Sequence, residues 1–259
     1  MLTFAKSSLA AIAIAVLPSG PAGARTVAIP FDSANFSHPL HIDNVYFPLV
    51  AGTVFTYKSD TSDGCEVDVM TVTSRTRLID GVSTRVVHDV VSDGDTCGGP
   101  LQKAEDTLDY YAQDDSGNVW YMGEDTFDCT ASGCTPGEGG WIGGVSGGHP
   151  GIVMLANPRS GDTYRQEFRP GIAEDQATVT AIGITARPKR PDAYRSSYSN
   201  CIVTKEFTVL EKGAIGSKTY CPNVGIVVDI DHHGKIQRSE LTSISSTSNA
   251  LKFRTVPKS

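Results

Sequence analysis

The sequence predicts an all-β chain: a single antiparallel β-barrel or strongly curved sheet with long loops and three disulfides. Three observations predict it. Short runs that alternate apolar and polar residues recur along the chain, roughly eleven or twelve of them, bounded by Gly, Asp, Asn and Pro clusters. No stretch carries a convincing helical period. Six cysteines sort into three pairs by their spacing.

Residues 1–24 read as a secretory signal, with Lys6 as the positive n-region, 8–17 as the apolar h-region and Ala22-Gly23-Ala24 before the cleavage point. The apolar run is too short to span a bilayer, so no membrane insertion is expected. Cleavage after Ala24 then leaves residues 25–245 as one β-barrel-like domain and 246–259 as a flexible tail, in a secreted or periplasmic protein. The chain carries 22 Lys+Arg against 29 Asp+Glu. Losing Lys6 takes the net charge from −7 to −8. An acidic chain without a basic patch is a poor partner for nucleic acid or an anionic membrane surface.

In order, 25–44 is irregular, with Pro30 and Pro39. His38, His41 and Asp43 have a spacing that could ligate a metal, but solvated loop histidines are the simpler reading, and no metal or cofactor is expected. Residues 54–58 form a short strand. Val67, Val69, Thr71 and Thr73 alternate through 66–78, Asp80-Gly81 is a hairpin turn, and 83–91 returns. The stretch 106–125, DTLDYYAQDDSGNVWYMGED, is a hairpin around Asp114-Asp115-Ser116-Gly117. With those four residues as the loop, Tyr111 faces Trp120, Asp109 faces Met122 and Thr107 faces Glu124. One face then carries Thr107, Asp109, Tyr111, Gln113, Asn118, Trp120, Met122 and Glu124, and the other Leu108, Tyr110, Ala112, Val119 and Tyr121.

Residues 127–149 are glycine-rich and read as a long loop beside the aromatic face, bringing Trp141 there. Strands follow at 163–168, 175–185, 201–210, 217–221, 225–230 and 235–243, with a loop at 187–200. His232-His233 sits in a turn. Cys129 and Cys134 close a short loop, Cys201 and Cys221 can face each other across a hairpin, and Cys65 and Cys97 remain. Paired CxxC spacing, the mark of a metal cluster, is absent.

Three stretches carry a resemblance: Tyr46-Phe47-Pro48-Leu49-Val50-Ala51-Gly52-Thr53, the AQDDSGNVWYMGEDT run at 112–126, and Tyr220-Cys221-Pro222-Asn223-Val224-Gly225-Ile226-Val227. They resemble a family of secreted bacterial all-β proteins of unassigned role. The last is also similar to lipoprotein-carrier-type periplasmic barrels. The resemblance implies export and an all-β fold, and it implies no activity.

The acids are the chemically suggestive set. Asp109 and Glu124 share the aromatic face, Arg165 and Glu167 share a face of the strand at 163–168, and Glu174-Asp175 begins the next. Three readings follow. The first is a binding module whose aromatic-acidic face, with Asp109, Tyr111, Gln113, Trp120, Trp141 and Arg165, holds a small polar molecule or glycan. The second is a polysaccharide hydrolase or lyase with Glu124 and Glu167 as its paired carboxylates. The third is a structural envelope protein in which the acids are simply paired. A serine or cysteine nucleophile is poorly supported, because no G-x-S-x-G elbow occurs.

Overall fold

The computed structural model describes residues 25–61, 64–232 and 236–247. The expected leader and all but the start of the expected tail lie outside them, as does His233. After a two-residue β1 (Arg25–Thr26) and a 3₁₀ turn at Ser33–Asn35 come β2 (Thr53–Thr61), β3 (Gly64–Ile79), β4 (Val82–Gly94), β5 (Gln102–Gln113) and β6 (Val119–Thr130). Three short strands add to the edge of β6: β7 (Gly133–Pro136), β8 (Trp141–Ile142) and β9 (His149–Met154). Then follow β10 (Asp162–Arg165), β11 (Glu167–Phe168), β12 (Asp175–Ala186), β13 (Tyr198–Thr208), β14 (Ile215–Cys221), β15 (Gly225–Asp231) and β16 (Gln237–Ser246).

The strands form two antiparallel meanders, β2 to β6 and β12 to β16, joined where β16 pairs with β2. Beyond β12 the sheet ends at β10, bordered by the two-residue β1 alone, and beyond β9 it ends at β11. Those edges belong to one stretch of chain, separated by Gln166 alone. The sheet therefore curves until its two ends meet at Gln166, without a closed ladder. Gln166 N donates to Asp175 O at 2.8 Å. A Cβ on Gly151 would lie 2.2 Å from Gln166 O, so the junction requires glycine there.

Local chemistry explains the hairpins. Asp80 (φ 46°) and Gly81 (φ 82°) both adopt the left-handed conformation that a two-residue turn needs, as the sequence predicts. All three expected disulfides form: Cys65–Cys97, Cys129–Cys134 and Cys201–Cys221.

The β5–β6 hairpin departs from the expected register. Gln113 pairs with Val119, Ala112 with Trp120 and Tyr111 with Tyr121, so the loop has one residue more than the sequence suggests. Asp114 is the reason. Its carboxylate accepts from Ser116 N, Asn118 N, Asn118 Nδ2 and Trp120 Nε1, which draws Asn118 into the turn. Farther along, a bulge at Met122 and Gly123 shifts the register back, and Asp109 then pairs directly with Glu124. Gly123 (φ 139°) passes so close to β8 that a Cβ would lie 2.5 Å from Trp141 O. Trp120 thus moves to the outer face and Tyr121 to the inner one, the reverse of the expected arrangement. Glu124 keeps its place.

Two apolar clusters result. Inside the curve lie Phe47, Phe55, Val72, Val87, Ile202, Val227 and Leu241. On the outer face Trp120, Tyr110, Ala112, Met122 and Val179 pack under the N-terminal segment. Phe31 and Phe36 meet the Trp120 ring edge-on at 5.5 and 6.0 Å.

Candidate functional site

The inner face of each strand changes character along its length. On β3, Met70 and Val72 are buried, and the same face continues outward as Asp68 and Glu66. On β4, Val87 gives way to Asp89, and on β5 Tyr111 gives way to Asp109 and Glu105. β6 carries Tyr121 and then Glu124. Across the curve, Glu206 on β13 and Asp229 on β15 continue the faces of Ile202 and Val227. Glu167 on β11 and Asp175 at the start of β12 complete the rim. Because neighbouring strands run antiparallel, every acidic segment falls at the same end of the curved sheet. Together they line a cavity of about 360 Å³, with ten carboxyls and one basic side chain, Lys218. Phe47, Tyr57, Tyr111, Tyr121 and Tyr220 supply its aromatic wall, and Tyr111 and Tyr121 stack at 4.9 Å.

The carboxyls lie in pairs. Tyr121 Oη lies between one pair, 2.5 Å from Asp109 Oδ1 and 3.1 Å from Glu124 Oε2, with a single proton to donate to either. Asp68 and Asp89 come within hydrogen-bonding reach of each other, and each has an Oδ1 closed to solvent that receives no donor. Glu167 and Asp175 form a third pair. The fourth, Glu206 and Asp229, is served by Lys218, whose Nζ lies 2.8 Å from Glu206 Oε2 and 3.9 Å from Asp229 Oδ2.

Crowded, enclosed carboxyls resist ionisation. Burial, then the charges of its neighbours, lifts Asp68 well above the ordinary range, and burial with Asp89 nearby does the same to Asp109. Burial raises Glu124 to about 7. Burial followed by the Asp175 and Glu124 charges raises Glu167 to about 8. Burial raises Asp229 to about 6 against the pull of Lys218. For Lys218, burial works against the charged form, but Glu206 and Asp229 outweigh it and push the ammonium above its usual range.

Of the residues the sequence singles out, the cavity brings together Asp109, Tyr111, Glu124 and Glu167. The other four lie elsewhere. Trp120 is in the outer core. Gln113 fastens the N-terminal segment: its Oε1 accepts from Asp43 N and Asn44 N, and its Nε2 donates to Asp43 Oδ1. Arg165 is exposed and lies over the Phe168 ring at 4.1 Å. It does not share a face with Glu167, because the chain passes from one sheet edge to the other between them. Trp141 stands behind the wall, donating from Nε1 to Glu167 Oε2 at 2.6 Å and meeting Tyr121 edge-on. The loop histidine His41 pairs with Asp43 at 3.1 Å.

Sequence reasoning missed Glu66, Asp68, Asp89, Glu105, Glu206, Lys218 and Asp229. A signal was present, since Asp68 shares its strand parity with Met70 and Val72, and Asp229 with Val227. Charges on an otherwise apolar face mark a polar interior.

No family model matches the chain, and no curated protein matches it. Two solved structures are similar. One, from Bacteroides fragilis NCTC 9343, is described as a "putative exported protein with YmcC-like fold"; it is 14% identical with a TM-score of 0.42, over 78% of this chain and all of that one. The other is a "putative lipoprotein" from Parabacteroides distasonis ATCC 8503, 13% identical with a TM-score of 0.34, over 78% of this chain and 99% of that one. Likeness at this level carries no argument about function.

Proposed function

We propose that this chain is an exported β-protein that binds a small polar molecule in the acidic cavity. One observation carries the reading: among the described residues, eight of the ten cavity carboxyls have no Lys or Arg partner. A fold gains nothing from gathering unpaired acids at one end, whereas a binding protein gains a polar, aromatic-walled receptacle. The volume is near the lower end of ordinary ligand sites, which run from roughly 300 Å³ upward. The leader-like N-terminus and three disulfides support export. Trp141 touches both Glu167 and Tyr121, so its fluorescence should report occupancy. Titrating the folded protein with a panel of sugars, amines and amino acids should move that signal saturably for at least one member. A flat response across the panel overturns the reading.

A second reading, glycoside cleavage, draws on one feature: burial raises Glu124 to about 7, and burial with the Asp175 and Glu124 charges raises Glu167 to about 8, so both hold protons near neutral pH, as a general acid must. Release of reducing ends or unsaturated products that survives in both Glu124→Gln and Glu167→Gln would remove these residues from that role.

A further inference from the structure

Resting on the binding reading, we propose that the ligand is an organic polycation, an aliphatic chain bearing two or more ammonium groups. Lys218 provides the internal precedent. Its ammonium, on a flexible aliphatic stem, sits between Glu206 and Asp229, and Tyr220 Oη donates to Glu206 Oε1 at 3.2 Å, so the chain itself supplies a cation to one of four carboxyl pairs. The other three pairs, Asp68–Asp89, Asp109–Glu124 and Glu167–Asp175, have no such cation among the described residues.

The Asp68–Asp89 pair adds an observation independent of the number of acids. Both Oδ1 atoms are shut off from solvent without a donor, in side chains that are otherwise half-buried. Two ionised carboxylates can only accept, so the pair requires a proton or a cation between its members. An ammonium offers three donors and one positive charge, which serves both acids at once. Tyr57, Tyr111, Tyr121 and Tyr220 line the same cavity, offering methylene groups an apolar surface and the charges aromatic faces.

The spread of the acids disfavours a compact metal ion. Calcium gathers about six to eight oxygens at roughly 2.3–2.6 Å. Among the described residues, no three carboxyls of the cavity bring ligand atoms within 4.8 Å of one another; the one such group is Asp60 with Cys65 and Cys97. Those two sulfurs are bonded to each other. A neutral sugar would leave the pairs unneutralised, and an anion would be repelled.

Calorimetric titration of the mature protein at pH 8 tests the proposal, with spermidine, putrescine, butylamine, glucose and Ca²⁺ as probes. Spermidine should bind tightest, putrescine roughly tenfold weaker and butylamine weaker still, since each lost ammonium forfeits a charge-assisted contact. Binding should release protons, seen as an enthalpy that changes with the ionisation heat of the buffer. Asp89→Asn should weaken spermidine about tenfold. Glu124→Gln serves the same purpose should Asp89→Asn not fold. Lys218→Gln, which empties the fourth pair, should tighten spermidine severalfold. Glucose or Ca²⁺ binding in preference to spermidine, or spermidine binding that ignores Asp89→Asn and Glu124→Gln, overturns the polycation assignment and leaves the binding reading standing. No heat from any probe, together with a flat Trp141 response across the wider panel, overturns the binding reading itself.

Discussion

The β5–β6 hairpin has two faces built from alternating residues of the same twenty-odd positions, and they treat charge in opposite ways. On the outer face Asp125 is matched: Arg77 Nη1 lies 2.5 Å from its Oδ2, and Tyr110 Oη donates to the same oxygen at 2.7 Å. Asp106, also facing outward, takes His88 and Lys103. On the inner face Asp109 and Glu124 share only Tyr121 Oη. The outer face is therefore finished as the chain folds, with its acids neutralised and Trp120 capped by Phe31 and Phe36. The inner-face acids of this hairpin have no such cation among the described residues. Unpaired acids facing inward, beside paired ones facing outward, indicate function more strongly than either would alone.

The largest test of that contrast is Trp120→Ala. Trp120 is 3% exposed, and its Nε1 holds the Asp114 turn. Truncation should destabilise the protein by about 3–5 kcal/mol in urea titrations, while any residual folded protein keeps its ligand affinity. A matching loss of affinity in the folded fraction would mean that the faces are not separable.

The disulfides divide in a similar way. Cys65–Cys97 closes the acidic end, next to Glu66, whereas Cys201–Cys221 is buried in the apolar interior. Loop-closure entropy assigns roughly 4 kcal/mol to the 32-residue separation, about 3 to the 20-residue one and about 2 to the 5-residue Cys129–Cys134 link. Paired Cys→Ser variants should follow that order in melting temperature. The Cys65–Cys97 variant should also lose more at pH 8 than at pH 5, because the acids it restrains then repel. Equal losses at both pH values would detach this bridge from the acidic end.

How much of this was readable beforehand follows from the range of each interaction. The Asp80-Gly81 turn, the strand alternation and the cysteine pairing depend on near neighbours or simple spacing, and they fold as the sequence implies. The β5–β6 register did not, because Asp114 recruits Asn118 into the turn, and one residue is enough to exchange Trp120 with Tyr121. Gly123, isolated within a strand, was the available sign of the bulge that returns Glu124 to the side of Asp109. The Asp68–Asp89 and Glu206–Asp229 pairs were legible only as misplaced charges on apolar faces. What joins them into one cavity is the curvature of the whole sheet and its meeting at Gln166, which no local pattern encodes.

The pH dependence of the free protein measures the inner face directly. Glu124 moves from 4.5 to about 7, Glu167 from 4.5 to about 8 and Asp229 from 3.8 to about 6. Each folded value is raised, so the unfolded chain releases its protons first as pH increases. The contribution of these groups is intact below about pH 4 and is lost progressively toward pH 8. The melting temperature should fall by roughly 5 °C between pH 5 and pH 8. The double variant Glu124→Gln with Glu167→Gln should flatten that slope. A free protein that grows more stable over this interval would show the acids to be paired after all.

The smallest effect makes the finest distinction, because it compares two aspartates on opposite faces of one hairpin. Asp125 and Arg77 are each more than a third exposed, so their pair contributes little, and Asp125→Asn should cost about 0.5–1 kcal/mol at pH 8. Asp109 is 7% exposed, with Glu124 directly across the strands. Asp109→Asn keeps an acceptor for Tyr121 Oη and removes the charge that burial and Asp89 oppose. It should therefore stabilise the protein at pH 8 by about 1 kcal/mol or more, since each tenfold change in proton affinity is worth about 1.4 kcal/mol. At pH 4 the gain should disappear, because the native carboxyl then carries its own proton. Denaturant titrations of both variants at the two pH values decide the matter. Opposite signs at pH 8 that converge at pH 4 fit an inner face short of positive charge. A loss in both variants at pH 8 would mean that Asp109 is paired as Asp125 is, and the two faces would no longer differ.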